Sequence, residues 1–170
     1  MRELTGQVGL GTDVSGGFSP SMLTVIQHAS LASKVLAFRS TLPASGAGPE
    51  PKPEAKPETS GGFANRQLSV DTLFYLATLG GARVCDIDKH VGSFEPGKSF
   101  DALVVSVRPE TGNPLIWNDD VGRDEGEGED IKDLLARWLE RFLFGGDDRN
   151  ILRVYVQGRL IGGKSFQVHR

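Results

Sequence analysis

Apolar positions recur along the chain in two periods, and each period predicts a different element. Met22, Val25, Ile26, Ala29, Ala32 and Leu36 stand at helical spacing and predict a helix over residues 19–38. Ser19 is placed to cap it. Pro20 suits the first helical position, where a missing N–H costs little. Leu23, Leu31 and Val35 make this helix apolar on more than one side, so it is expected to be well buried. Val70, Leu73, Phe74 and Ala77 form a second stripe behind Ser69, whose hydroxyl can cap the first turn. Gly80-Gly81 is expected to loosen or end that helix, with a short helical piece running on to Asp86. Ile131, Leu134, Leu135, Trp138, Leu139 and Phe142 give a third helix over 131–144, with Asp130 opposing the dipole at its start.

Strand-like runs rich in Val, Leu and Ile predict the sheet. They lie at residues 7–11, at 101–107, and at 151–156 followed by 159–161. Gln157-Gly158 between the last two runs reads as a hairpin turn. Gly92 to Lys98 is rich in turn residues. The first run ends in Thr12-Asp13 and a glycine turn, and it has no strand-like run before it to pair with.

Two stretches break the pattern. Residues 40–66 contain five of the nine prolines, interleaved with Lys and Glu, and are expected to be a disordered or polyproline insertion. A solvated surface loop is preferred there over a ligand for an SH3-like domain. Residues 116–130 hold Asp119, Asp120, Asp124, Glu125, Glu127, Glu129 and Asp130 against the single base Arg123. Their spacing does not fit a calcium loop, and a solvated acidic loop is expected.

Composition narrows the classes of function. The chain has 170 residues, of which 38% are hydrophobic and 24% charged, with a net charge of −3. With no basic excess, neither nucleic acid nor an anionic membrane surface is expected as the main partner. No apolar run approaches the roughly 18 residues of a membrane span. No apolar signal core follows Met1. The single cysteine, Cys85, excludes an intramolecular disulfide and fits a reducing compartment, so a cytoplasmic location is expected.

Few residues offer chemistry. The three histidines, His28, His90 and His169, are too far apart in sequence to form a local ligand pair, so the chain does not spell a complete zinc site. Gly9-Leu-Gly11 fails the dinucleotide fingerprint, because its third glycine would fall at Val14. There is no Walker sequence and no serine elbow. Asp13 is the exception, standing where an apolar run stops and a glycine turn begins. In a parallel α/β barrel such strand ends collect the catalytic groups. A carboxylate there can bind a metal or take a proton from metal-bound water. The alternative is that Asp13 only bonds the backbone N–H groups of its own turn.

Four passages carry a resemblance. Val8-Gly-Leu-Gly-Thr-Asp-Val-Ser-Gly-Gly-Phe-Ser-Pro-Ser-Met-Leu23 resembles the guanine deaminase family of the amidohydrolase superfamily. Leu76-Ala-Thr-Leu-Gly-Gly-Ala82, Gly92-Ser-Phe-Glu-Pro-Gly-Lys-Ser-Phe-Asp-Ala102 and Phe144-Gly-Gly-Asp-Asp-Arg-Asn-Ile151 follow in the family's order. The third passage is generic to many amidohydrolases. The last is closer to guanine deaminases and argues against a relative with another substrate.

The resemblance covers the C-terminal part of the family and implies an α/β fold. That fold would be the last strand and helices of a metal-dependent (β/α)8 barrel, plus strands of a small β-sandwich. Residues 1–90 would end the barrel, and 91–115 with 151–165 would supply sandwich strands. The family's activity is zinc-dependent hydrolysis of guanine to xanthine and ammonia, by a homodimer in the complete enzyme. Asp13 matches the family's metal-binding aspartate, which orients and deprotonates the zinc-bound water. The family's His-x-His pair, its later histidine and its shuttling glutamate have no counterpart here, so a chain on its own is expected to be inactive and to bind zinc weakly. Asp148 and Arg149 are expected to form a structural ion pair or cap. A non-catalytic short relative, acting as an interaction or dimerisation module, is the alternative.

Overall fold

The computed structural model describes residues 7–41, 67–116 and 130–166. In chain order the elements are α1 (Met22–Thr41), α2 (Val70–Ala77), α3 (Leu79–Val84), β1 (Ala102–Val105), a 3-10 turn at Pro109–Thr111, α4 (Ile131–Gly145), a second 3-10 turn at Asp148–Asn150, β2 (Ile151–Val156) and β3 (Arg159–Gly162). The three strands form one antiparallel sheet in the order β1-β2-β3. The fold is a mixture of helix and sheet. The Pro-rich stretch from residue 42 to 66 and the acidic loop from 117 to 129 lie outside the described residues.

The core lies where α1, α2 and α4 meet. Ile26, Leu73, Val107, Ile116, Phe142 and Leu143 are buried together there. Removing such side chains from water is the main favourable term in folding. Gln27 on α1 donates from Nε2 to the Leu143 carbonyl at 3.1 Å, satisfying one of the orphan acceptors at the end of α4.

Helix α1 begins three residues later than the pattern predicts. The Ser19 hydroxyl accepts from the Ser21 N–H at 3.1 Å, which holds residues 19–21 in a turn of their own. The first helical bond runs from the Val25 N–H to the Ser21 carbonyl. The helix also runs three residues further, to Thr41. It is less buried than expected, since Leu31 remains 62% exposed and Val35 and Leu36 are exposed as well.

Residues 7–11 do not form the predicted strand. A strand requires a paired neighbour, and among the described residues none lies beside this run. Instead the Leu10 N–H donates to the Leu76 carbonyl at 2.9 Å, near the end of α2.

Ser69 caps α2 as predicted, its Oγ accepting from the Thr72 N–H at 3.2 Å. The break between α2 and α3 falls at Thr78 rather than at the glycine pair. The Thr78 hydroxyl donates to the Phe74 carbonyl at 2.8 Å and its N–H to the Tyr75 carbonyl at 3.1 Å. Gly80 and Gly81 sit inside α3, where their lack of a Cβ permits close approach of residues 8–10. A Cβ on Gly80 would stand 3.0 Å from the Tyr75 carbonyl oxygen and 3.2 Å from that of Val8.

Helix α4 matches its predicted span within one residue. Asp130 caps it by accepting from the Lys132 N–H at 3.0 Å. Its C-terminal half supplies the buried Phe142 and Leu143, while Ile131 and Leu135 in the first half stay exposed. The closing hairpin is as predicted. Gln157 at φ 50° and Gly158 at φ 74° give the two left-handed positions of a type I′ turn. Asp101, just ahead of β1, accepts from the Gln157 N–H at 2.7 Å and ties that turn to the first strand.

Candidate active-site residue and its surroundings

Asp13 is exposed and occupies the left-handed region at φ 46°, which Asp tolerates better than most residues. Its carbonyl accepts from the Gly17 N–H, closing residues 13–17 into a tight turn. A Cβ on Gly16 would stand 3.3 Å from Asp13 Oδ2, so the glycine leaves room for the carboxylate over the turn. The geometry therefore presents one exposed carboxylate at the start of a tight glycine turn.

A zinc ion takes three or four protein ligands. Among the described residues no group of three or more His, Cys, Asp or Glu side chains could hold a metal ion. Asp13 by itself does not fit a complete metal site. Among the described residues no histidine joins it in a ligand set. The His28 ring packs on Phe18 at a centroid distance of 5.0 Å. His90 uses its backbone, accepting from the Ser99 N–H at 2.8 Å. His169 lies outside the described residues.

The Gly92–Lys98 passage is a structural turn. Lys98 is nearly buried, and its Nζ donates to Ser93 Oγ at 2.6 Å and lies 3.3 Å from Glu95 Oε1. The Ser93 hydroxyl donates to the same carboxylate at 2.8 Å. The hydrogen bonds from Ser93 and Lys98, and the Lys98 charge, hold the Glu95 carboxyl below its usual range. Gly92 packs beneath α3, where a Cβ would stand 2.8 Å from that of Ala82.

The Asp147-Asp148-Arg149-Asn150 passage is also structural, and it corrects one expectation. Arg149 pairs with Asp147, not with Asp148. Its Nε donates to both carboxylate oxygens at 3.1 Å, with Nη2 adding a further contact. Asp147 Oδ1 also accepts from the Arg149 N–H at 2.9 Å, capping the second 3-10 turn. The hydrogen bond from Arg149 pushes the Asp147 carboxyl down, and the Arg149 guanidinium is raised in turn.

Asn150 is the residue that sequence reasoning missed. It is fully buried. Its Nδ2 donates to the Ser106 carbonyl at 2.7 Å and to Thr111 Oγ1 at 3.2 Å. Its Oδ1 accepts from Asn113 Nδ2 at 2.7 Å and from the Asp147 N–H at 3.0 Å. The available signal was the D-x-x-N spacing of a capping box.

Beside the Asp13 run lies an apolar groove of about 1060 Å³, between residues 9–11, the α2–α3 pair and β1. Leu10, Phe74, Ala82, Leu103, Val105 and Phe142 are among its lining residues. Leu103 is 51% exposed there, and Val104 and Val105 are also exposed. Among the described residues no helix is long and apolar enough to cross a membrane.

Comparison with known proteins agrees with the resemblance seen in the sequence. The amidohydrolase family model matches residues 55–161. Guanine deaminase of Mus musculus is 35% identical over 156 residues, covering 91% of this chain and 27% of that protein. The probable guanine deaminase of Schizosaccharomyces pombe is 36% identical over 156 residues, covering 92% of this chain and 23% of that protein. Among solved structures, guanine deaminase from Bradyrhizobium japonicum matches at 30% identity and a TM-score of 0.61, covering 93% of this chain and 31% of that one. Guanine deaminase from C. acetobutylicum, with guanine bound in its active site, matches at 33% identity and a TM-score of 0.53, covering 91% of this chain and 27% of that one. The chain thus spans about a quarter of the length of the relatives it matches. The match over most of its length places it plainly: the chain belongs to the amidohydrolase family.

Proposed function

We propose that this chain is the C-terminal part of a guanine deaminase, an enzyme that hydrolyses guanine to xanthine and ammonia. The observation that carries the reading is that relatives named guanine deaminase align with nine-tenths of the chain. Under this reading residues 1–90 end a (β/α)8 barrel, and 91–115 with 151–165 contribute to a small β-sandwich. The complete enzyme is a cytoplasmic homodimer that uses zinc.

Asp13 is then the one residue of this chain in the catalytic machinery. Its exposed carboxylate, over a glycine turn, is a metal ligand and a proton acceptor. Its exposure leaves the carboxylate oxygens open to a metal ion. The remaining ligands come from outside the described residues, since those residues hold no complete set.

The test is guanine turnover by the natural protein that contains these residues, followed as xanthine release. The reading expects turnover that a metal chelator abolishes. A natural product of 18.3 kDa that binds other proteins and releases no xanthine would favour the alternative, an interaction module.

A further inference from the structure

We draw no further inference here: the strongest candidate, the apolar groove between residues 9–11, the α2–α3 pair and the exposed strand β1, carries nothing because no feature of the structure shows what covers it.

Discussion

Asn113 donates from Nδ2 to Asn150 Oδ1 at 2.7 Å, and this buried bond joins the segment after the first 3-10 turn to the second 3-10 turn, which leads into β2. The same Asn113 nitrogen reaches the Gly145 carbonyl at 2.7 Å, and Asn113 Oδ1 accepts from the Leu115 N–H at 2.9 Å. On the other side, Asn150 Nδ2 holds the Ser106 carbonyl, while the Ser106 N–H donates back to the Asn150 carbonyl at 2.9 Å. The two side chains thereby satisfy four backbone groups, the Gly145 and Ser106 carbonyls and the Leu115 and Asp147 N–H groups. Leaving any one of those buried groups unpaired costs about 1–3 kcal/mol.

Asn150→Ala is therefore expected to destabilise the fold by roughly 3 kcal/mol, as measured by urea unfolding. Asn113→Ala should cost somewhat less. The double variant should be less destabilised than the sum of the two, because both remove the same bond. Additive losses would show that the two side chains act independently.

Gly92 and Gly97 have nearly the same φ, 93° and 90°, but different surroundings. Nothing lies within 4 Å of a Cβ on Gly97, whereas one on Gly92 meets Ala82. Gly97→Ala is expected to cost about 1 kcal/mol, the conformational penalty alone. Gly92→Ala adds a steric clash with α3 and should cost at least about 1 kcal/mol more. Equal losses in thermal unfolding would refute the close packing of the Gly92 turn under α3.

The Asp147–Arg149 pair gives a pH signature. The Asp147 carboxyl is lowered from 3.8 in the folded chain, so it binds a proton less readily there than when unfolded. Its contribution is present above 3.8 and is lost as pH falls through the lower folded value. Asp147→Asn keeps a capping oxygen but removes the charge. Its stability deficit at pH 7 is expected to be about 0.5 kcal/mol, the usual size for a solvent-screened pair, and to shrink as pH falls below 3.8. A deficit that persists at low pH would assign the effect to the cap rather than to the ion pair.

The 170-residue chain exposes Leu103, Val104 and Val105 on a strand at the edge of its sheet. Such an edge is a template for pairing with other chains. The purified chain is expected to self-associate at micromolar concentration and to bind an apolar dye. Leu103→Lys should reduce both, read by light scattering after gel filtration. A monodisperse 18.3 kDa species without dye binding would contradict this.

Much of the fold was legible because it rests on local chemistry. Helix α4 follows from six apolar residues at helical spacing, the α2 cap from the Ser69 hydroxyl, and the hairpin from Gln157-Gly158. What failed depends on distant neighbours. The run at residues 7–11 has strand-like composition, but pairing decides a strand, and Leu10 bonds to Leu76 instead. Thr78 ends α2 through its own hydroxyl, while Gly80 and Gly81 serve the approach of residues 8–10. Asp147 and Asp148 are equivalent as sequence, and only the 3-10 turn decides which of them meets Arg149. Asn150 reads as an ordinary polar turn residue until Ser106, Thr111 and Asn113 surround it. The position of Asp13 at a glycine turn was legible. The ligand set that the proposed metal role would need was not, and among the described residues none forms.

The most direct test of the account is xanthine release from guanine by the natural protein carrying these residues, with and without Asp13→Ala. The account predicts measurable turnover, a loss of several orders of magnitude in kcat on substitution, and a stability in thermal unfolding lowered by only about 1 kcal/mol, the cost of alanine at the left-handed φ of residue 13, because Asp13 is exposed and its turn is closed by its backbone carbonyl. Turnover that survives the substitution would remove Asp13 from the site. An absence of turnover in the unaltered natural protein would contradict guanine deamination itself.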